Sequence, residues 1–377
     1  MLSSDRVRDG MIARIDVVGQ RKEELDTPAL LVDLAVMERN IARIMRTCRE
    51  AGVNWRPHTK GQKVPAIAHK EIAAGAIGVT CAKLGEAEVM AAAGIKDILI
   101  ANQIVGAQKL ARLMRLTLTA DVIVAVDSVV QVEALAAAAR LAGVQLRVVV
   151  EVNIGMNRAG VDPGEAAVAL SRSVNSCPGL RLAGLMGWEG HTVKIRDPEE
   201  KRRAVQHSVR LLTDTAELCR QGGLPVEIVS CGGTGTYRIT AYQRGVTEVQ
   251  AGGGIFSDVH YRTNMGLDHE YGLTVLATVV SRPSPTRLIC DAGKKAMSCD
   301  AATPEPIGLG DVAAVRLSAE HATVELGAPN PIPEIGDKVE FVVGYSDTTV
   351  MLHEEMFGLR GGVVEVVWQI LGRGKIR

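Results

Sequence analysis

The sequence has 377 residues, of which 47% are apolar and 23% are charged, as in an ordinary folded protein. Its 43 basic residues balance its 43 acidic ones, so nothing points to nucleic acid or a membrane surface as a partner. The length exceeds that of one typical core, so two domains are expected unless one is a barrel. Aromatic residues make up only 3%, so the core must come from Val, Ile, Leu and Ala, which suits parallel strands covered by helices.

The cysteines and the N-terminal segment predict a reducing, cytoplasmic setting. Seven cysteines are scattered without a Cys-x-x-Cys pair, which argues against a disulfide framework or a zinc knuckle. Residues 1–20 carry charges throughout and lack the apolar centre of a signal peptide. No apolar run reaches the length of a membrane span.

Short apolar runs alternate with longer segments of helical spacing between residues 54 and 256. Eight such runs predict strands: Asn54–Lys60, Gly78–Lys83, Asp97–Asn102, Val122–Asp127, Leu146–Val152, Leu182–Trp188, Glu227–Gly232 and Thr247–Gly252. Helices are predicted between them, at Gly85–Ala93, Val129–Ala142, Gly164–Val174 and Glu199–Gln221. Eight strand–helix repeats favour a parallel (β/α)₈ barrel. The alternative is a doubly wound open sheet, which would usually show a glycine-rich turn near the N-terminus that is missing here.

Beyond residue 268 or so the pattern changes to the alternation of antiparallel strands. The predicted strands there are Leu273–Val280, Thr286–Asp291, Val312–Leu317, Lys338–Val343 and Gly362–Ile370. An early run, Ala29–Leu34, is surplus to the eight barrel strands and is assigned to the junction between domains. The prediction is therefore an α/β fold in which residues 28–265 form the barrel, while residues 1–27 and 266–377 form a mainly-β domain.

The segment Arg56–Lys60 places a lysine at the end of the first predicted barrel strand. In such a barrel the chemistry takes place at the carboxyl ends of the strands. A lysine there can form a Schiff base with an aldehyde cofactor if its amine is partly desolvated and flanked by other cations. The alternative is an ordinary surface lysine in a polar turn.

A second segment, Cys231–Thr236, follows the seventh predicted strand, and the glycines of residues 251–254 follow the eighth. These are the two loops that usually bind phosphate in (β/α)₈ barrels. Glycines let backbone amides approach an anion closely, and Thr234 and Thr236 add hydroxyl donors. Two tight turns are the alternative for either loop alone. Together with Lys60, the loops predict a phosphorylated aldehyde cofactor, pyridoxal phosphate.

These features resemble the fold-type III pyridoxal phosphate enzymes, the alanine racemase-like barrels, and most of all their D-threonine aldolase and D-serine dehydratase branch. The similarity spans nearly the whole chain and is carried by residues 26–34, Arg56–Lys60, Gly155–Val161, Gly232–Gly235, Gln250–Gly252 and Asp291–Gly293. The resemblance implies that Lys60 forms the Schiff base and that Arg158 lies near the cofactor ring. The remaining implied cofactor-binding residues are Trp188, Cys231, Gly232, Gly233, Thr234, Gly235, Thr236, Gln250, Gly252 and Gly253.

The resemblance also raises the question of a divalent metal, which enzymes of this branch hold near the β-hydroxyl of the substrate. Its ligands there usually include His-x-Asp or His-x-Cys, but Tyr345 stands here in place of the histidine. Asp347 is retained and His353 follows shortly after. Either Asp347 and His353 bind Mn²⁺, Mg²⁺ or Zn²⁺, or Tyr345 substitutes a phenol hydrogen bond for the metal.

A general base is needed as well. His191 ends the sixth predicted strand, in Trp188–His191, and is one candidate for accepting the β-hydroxyl proton. Lys60 is another once its amine is free, and His58 is a third because it neighbours Lys60. Glu189 departs from the aromatic–His–Gly arrangement of the aldolases in this branch.

The resemblance implies a lyase that cleaves D-β-hydroxy-α-amino acids to glycine and an aldehyde. The alternatives are a dehydratase that turns D-serine or D-3-hydroxyaspartate into a 2-oxo acid and ammonia, an amino-acid racemase, and a non-catalytic pyridoxal phosphate carrier. A carrier would resemble the barrel alone, which the β-rich C-terminal part argues against. The resemblance further implies a homodimer in which the β-domain of each subunit closes the barrel mouth of its partner.

Overall fold

The computed structural model describes residues 16–377 and shows a parallel barrel joined to a mainly antiparallel domain. The predicted fold class, a (β/α)₈ barrel plus a C-terminal mainly-β domain, is therefore confirmed. Residues 1–15, which were predicted to belong to the β-rich domain, lie outside the described residues. The exact domain boundaries stay a prediction.

The first strand, β1, comes before the barrel strands, which follow it in chain order. These are β1 (Ala29–Asp33), β2 (Asn54–Trp55), β3 (Val79–Cys81), β4 (Asp97–Gln103), β5 (Asp121–Val126), β6 (Leu146–Glu151), β7 (Leu180–Met186), β8 (Ile228–Cys231) and β9 (Glu248–Val249). From β3 to β9 each strand pairs in parallel with the next, and β9 pairs with β2. A parallel bridge between His58 and Thr80 links the extension of β2 to β3 and so closes the barrel.

Helices connect the strands and cover the barrel. They are α1 (Leu34–Ala51), α2 (Pro65–Ala74), α3 (Leu84–Ala92), α4 (Ala107–Leu116), α5 (Val129–Ala142), α6 (Glu165–Ser176), α7 (Pro198–Gln221), α8 (Tyr237–Thr240) and α9 (Val259–Met265). Sequence signals explain their ends. The Asp197 carboxylate caps α7 by accepting from the Glu200 amide at 2.7 Å, and Gly143 ends α5 in the left-handed conformation.

The interior of the barrel is filled by alternate residues of its strands, because successive side chains point to opposite faces. One face forms a separate apolar cluster inside the barrel, made of Leu99, Ile123, Ala125, Val149, Ala183, Met186 and Ile228. The opposite face packs in the main apolar core, together with the buried faces of the helices. This filled interior leaves room for a ligand only at the barrel ends.

The second domain is built on strands that follow the barrel, together with β1. They are β10 (Leu273–Ser284), β11 (Arg287–Cys290), β12 (Glu305–Pro306), β13 (Val312–Leu317), β14 (Ala322–Leu326), β15 (Lys338–Val342), β16 (Glu355–Arg360) and β17 (Val363–Gln369), with a short helix α10 (Ser346–Thr349) before β16. β1 lies between β10, its antiparallel neighbour, and β16, its parallel neighbour. The surplus strand thus pairs within the β-domain, although residue 28 was predicted to begin the barrel.

All seven cysteines are free thiols, and Cys299 is exposed while Cys177 is partly exposed. The other five are buried. In the part of the chain that the structure describes, no helix is both long and apolar enough to cross a membrane.

Candidate active site

A cavity of about 540 Å³ opens at the carboxyl ends of the barrel strands. That volume suits a cofactor with a small substrate. The cavity brings together most residues predicted from the sequence: His58, Lys60, Arg158, Trp188, Cys231, Gly232, Gly233, Thr234, Gly235, Gln250, Gly252, Gly253 and Tyr345. Thr236 lies just behind its wall, whereas His191 and His353 do not line it.

Lys60 meets a carboxylate of the second domain at the mouth of this cavity. Its Nζ lies 3.0 Å from Oδ2 of Asp347, and its side chain is 46% exposed. The Tyr345 hydroxyl donates to the same oxygen at 3.0 Å, and the Tyr261 hydroxyl approaches Oδ1 at 3.5 Å. Burial alone would raise the pKa of Asp347. The Lys60 cation and the hydrogen bonds from Lys60 and Tyr345 outweigh burial and hold that pKa below its usual value.

His58 forms part of the cavity wall beside Lys60. Its Nδ1 accepts from the Lys60 amide at 3.4 Å, and its backbone lies against Gly252. A Cβ at Gly252 would come within 2.1 Å of the His58 carbonyl oxygen, so only glycine permits this approach. Burial lowers the pKa of His58 to about 3, with a further contribution from the Lys60 charge, so the imidazole is neutral at pH 7.

Arg56 does not flank the Lys60 amine, contrary to the expectation of neighbouring cations. Its guanidinium is buried and pairs with Glu248 at 3.0 Å and with Asp97 at 2.7 Å. Glu248 and Asp97 begin their strands, so this ion-pair cluster lies at the opposite end of the barrel from Lys60. The strand ends at Trp55 and the chain turns after it, so the side chains of Arg56 and Lys60 point to different ends of the barrel although they are close in sequence.

The loop after β8 is held by a buried carboxylate. Glu189 accepts from the hydroxyls of Thr236 at 2.7 Å and Thr240 at 2.6 Å, and from the Gly232 amide at 3.3 Å. Thr236 was predicted to donate a hydrogen bond to phosphate, but its hydroxyl donates to Glu189 instead. The sequence suggested no role for Glu189, which here fixes the shape of the predicted phosphate loop.

The two glycine-rich loops meet at the cavity floor. The Gly254 amide donates to the Thr234 hydroxyl at 3.2 Å, which ties the loop after β9 to the loop after β8. A Cβ at Gly233 would lie 2.3 Å from the Trp188 ring, so the indole covers this glycine closely. Within residues 16–377 the amides of Thr234, Gly235 and Gly253 have no protein acceptor and are free to hold an anion.

The opposite wall carries polar groups from β4, β6 and the loop after β6. Gln103 donates to Glu151 at 2.6 Å, and burial raises the pKa of that carboxyl. Arg158 lies near enough to oppose that shift. Across the cavity, the Gln250 amide donates to the Ser230 hydroxyl at 2.8 Å, which fixes the orientation of its side chain.

These residues fit pyridoxal phosphate. Free backbone amides in two adjoining glycine-rich loops provide an anion cradle, and the cavity also contains a lysine amine. The Trp188 ring and the backbone approach at Gly252 leave no room there for larger side chains. Lys60, Gly233, Thr234 and Gly253 are therefore the residues that would hold the cofactor.

The predicted metal ligands do not fit a metal site. His353 faces away from Asp347, and its Nε2 is hydrogen-bonded to the Ala296 carbonyl at 2.8 Å. Asp347 is already engaged by Lys60 and Tyr345. Within residues 16–377 no group of three or more His, Cys, Asp or Glu side chains is placed to bind a metal ion.

His191 lies on the outer side of the cavity wall. It is exposed, its Nε2 lies 3.3 Å from the Ser208 hydroxyl of α7, and its ring packs against Gly155. The chain leaves β7 through a short 3₁₀ turn, Gly190–Thr192, which directs Trp188 rather than His191 into the cavity. The geometry therefore gives His191 no access to a ligand beside Lys60.

An aromatic cluster at the mouth was missed from the sequence. The Tyr345 ring lies 5.9 Å from Tyr261 and 5.2 Å from His260, both edge-on. Asp258 organises the cluster, because its carboxylate caps α9 at the Tyr261 amide and also accepts from the Ser346 amide, each at 2.7 Å. The N-cap pattern of Asp258 was the one available signal.

Comparison with known proteins identifies the family. Residues 32–259 match the alanine racemase N-terminal domain, and residues 272–359 match a putative serine dehydratase domain. The chain belongs to the alanine racemase-like family. The predicted resemblance to fold-type III pyridoxal phosphate enzymes is therefore confirmed.

Relatives place the chain in the aldolase and dehydratase branch of that family. A D-threonine aldolase from Arthrobacter sp. is 35% identical over 94% of this chain and 95% of its own length. A 3-hydroxy-D-aspartate aldolase from Paracoccus denitrificans is 33% identical over 95% of this chain and 94% of its own length. The crystal structure of a D-threonine aldolase from Filomicrobium marinum superposes with a TM-score of 0.93 and 36% identity, covering 97% of this chain and all of that one. The predicted class, a pyridoxal phosphate-dependent lyase, is confirmed.

Proposed function

We propose that the protein cleaves D-β-hydroxy-α-amino acids into glycine and an aldehyde. The observation that carries the proposal is the position of Lys60, whose amine lies in the same cavity as the free amides of the two glycine-rich loops. In this reaction the β-hydroxyl loses its proton, the Cα–Cβ bond breaks, and the β-oxygen becomes the aldehyde carbonyl. The carbon left behind is then protonated to give glycine.

Pyridoxal phosphate, when bound, withdraws the electron pair that bond cleavage leaves on Cα. The protein positions the cofactor and the substrate and supplies a base. The amides of Thr234, Gly235 and Gly253 hold the phosphate, and Trp188 covers Gly233. We assign the base to Lys60 in its free-amine form, because Lys60 lines the cavity whereas His191 lies outside it.

Replacement of Lys60 tests the assignment directly. In Lys60→Ala we expect loss of the visible absorbance of the bound cofactor and no detectable turnover, because the amine is both the attachment point and the base. Lys83→Ala is the matched control, since Lys83 follows a neighbouring barrel strand but does not line the cavity. Retained turnover in Lys60→Ala would overturn the proposal.

The products distinguish cleavage from dehydration. Incubation of the pyridoxal phosphate-loaded enzyme with D-threonine should yield glycine and acetaldehyde in equal amounts. A 2-oxo acid and ammonia would instead identify a dehydratase. Incubation with the L-isomer is the control and should give neither set of products.

The homodimer and the cytoplasmic setting remain part of this proposal. The half-exposed Lys60 lies at an open mouth that a second subunit can cover. Sedimentation of the purified protein, which should give twice the chain mass of 40.1 kDa, tests the dimer.

A further inference from the structure

The carboxylate of Asp347 is surrounded by hydrogen donors. Oδ2 accepts from Lys60 Nζ and from the Tyr345 hydroxyl, each at 3.0 Å, and Oδ1 faces the Tyr261 hydroxyl at 3.5 Å. The Tyr345 bond to Oδ2 does not depend on the Lys60 amine, which the cofactor would engage when bound, so this oxygen keeps a donor in the loaded protein as well. The arrangement suits a carboxylate that holds the Tyr345 hydroxyl and the Lys60 amine in place by accepting hydrogen bonds from them.

The groups around Asp347 offer no second ligand. His353 is hydrogen-bonded to the Ala296 carbonyl, and His58, which lies near Asp347, has its Nδ1 engaged by the Lys60 amide. His260 also lies in this cluster, but its Nδ1 is hydrogen-bonded to the Asn264 amide at 2.8 Å. In the described part of the chain, no third His, Cys, Asp or Glu completes a ligand set.

Tyr345 and Tyr261 both line the cavity, and Tyr345 is the one whose hydroxyl donates to the carboxylate oxygen that also pairs with Lys60. Its ring lines the cavity, and its hydroxyl donates a hydrogen bond to Asp347, which leaves a lone pair of the phenol oxygen able to accept. Lys60 is held by the same carboxylate oxygen. A hydroxyl group bound to Tyr345 would therefore lie beside the amine.

We infer that the β-hydroxyl of the substrate donates a hydrogen bond to Tyr345, which Asp347 holds in place, and that no divalent cation occupies this position. This rests on the proposed function and specifies how the site recognises the β-oxygen. Tyr345 acts as a substrate-binding residue and Asp347 as a positioning residue.

The first test measures cation binding without reference to turnover. Mn²⁺ is titrated calorimetrically into the pyridoxal phosphate-loaded protein. We expect no stoichiometric binding to the wild type and one ion per chain in Tyr345→His, which adds an imidazole beside Asp347. One ion per wild-type chain, lost in Asp347→Asn, would overturn the inference. If Tyr345→His binds no Mn²⁺, the phenol of Tyr345 is not what excludes the cation, and this result would also contradict the inference.

The second test separates recognition of the β-oxygen from recognition of the rest of the substrate. In Tyr345→Phe, kcat/KM for D-threonine should fall roughly tenfold or more, because one hydrogen bond is lost. Affinity for D-alanine, which has no β-oxygen, should stay within about twofold when measured by the spectral change of the bound cofactor. Tyr242→Phe is the matched control, because Tyr242 is exposed and does not line the cavity, and it should lose less than about threefold of kcat/KM for D-threonine.

Equal losses in Tyr345→Phe and Tyr242→Phe, or a loss of D-alanine affinity equal to the loss of kcat/KM for D-threonine, would overturn the assignment to Tyr345. Failure of the proposed function gives a different result. In that case the wild-type holoenzyme cleaves no D-β-hydroxy-α-amino acid at all, while the Mn²⁺ titration still decides whether a cation binds.

Discussion

Glu189 shows how one buried side chain can shape a binding loop that it does not belong to. The carboxylate is fully buried and accepts from two hydroxyls and one amide of residues 232–240. A buried carboxylate is tolerated only when such donors replace its water shell. The sequence departs from the family pattern at this position, and the structure shows that the departure stabilises the predicted phosphate loop.

Glu189→Gln should loosen that loop. The new amide group would face donors rather than acceptors, so we expect the free energy of unfolding to fall by about 1–3 kcal/mol. The dissociation constant for pyridoxal phosphate should rise as well, because the loop amides lose their fixed positions. Denaturant unfolding and cofactor titration measure the two effects. Glu133→Gln, on the exposed face of α5, is the control and should change neither; equal behaviour of both variants would contradict the role.

A buried hydrogen bond between Gln62 and Glu71 links helix α2 to the segment that follows Lys60. Glu71 is fully buried, and Gln62 donates to its Oε2 at 2.7 Å. Oε1 of Glu71 and Oε1 of Gln62 are the two buried side-chain atoms without a partner among the described residues. Burial raises the pKa of Glu71 to about 8, so the acid is protonated in the folded protein near neutral pH.

Glu71 should therefore make stability depend on pH. The folded-state pKa of about 8 exceeds the ordinary value of 4.5, so the contribution is complete below pH 4.5 and is lost as pH rises through 8. Relative to Glu71→Gln, the wild type should lose up to about 1.4 kcal/mol of unfolding free energy per pH unit in that window. Urea unfolding at several pH values, with cofactor saturating, measures the difference. A constant difference between the two proteins would show that Glu71 ionises normally, and Glu133→Gln should follow the wild type.

The catalytic cavity depends on contact between the barrel and the β-domain. Asp258 caps α9 on the barrel side and accepts from the Ser346 amide and hydroxyl in the β-domain, each at 2.7 Å. Ser346 lies between Tyr345 and Asp347. One carboxylate thus sets the position of both residues relative to the barrel.

Asp258→Ala should lower the stability, the catalytic efficiency and the cofactor affinity of the protein together. Loss of the cap and of the Ser346 contacts should cost about 2–4 kcal/mol of unfolding free energy. The displacement of Tyr345 should lower kcat/KM, and affinity for pyridoxal phosphate should fall as well, because Tyr261 on the uncapped helix packs against Gly253. Asp197→Ala removes only the cap of α7 and is the matched control. Unchanged kcat/KM in Asp258→Ala would contradict the coupling.

The sequence predicted the positions of one helix and one strand better than those of the short barrel strands. Val129–Ala142 and Val312–Leu317 match α5 and β13 residue for residue. The first and last barrel strands were predicted too long, since β2 ends at Trp55 and β9 at Val249. At those ends the backbone leaves the sheet to form the cavity, and apolar patterning does not record where hydrogen bonding stops.

The site was predictable to the extent that its groups lie in local motifs. Lys60 and the glycine-rich loops were found because each motif is contiguous and follows a strand. His191 and Arg56 show the limit, because side-chain direction at a strand end depends on how the following turn begins. The partnership of Glu189 with Thr236 and Thr240 required tertiary contact, which spacing alone does not reveal.

Cys299, the one cysteine whose thiol is well exposed, can carry a fluorescent label near the mouth of the barrel. Cys299 adjoins Asp300, whose carboxylate accepts from the Thr348 hydroxyl at 3.0 Å, next to Asp347. Burial raises the pKa of Cys48, Cys81 and Cys290 to about 12, so maleimide should leave them unmodified. With Cys177 changed to serine, a fluorophore on Cys299 would report substrate arrival through its emission, without altering any group that lines the cavity.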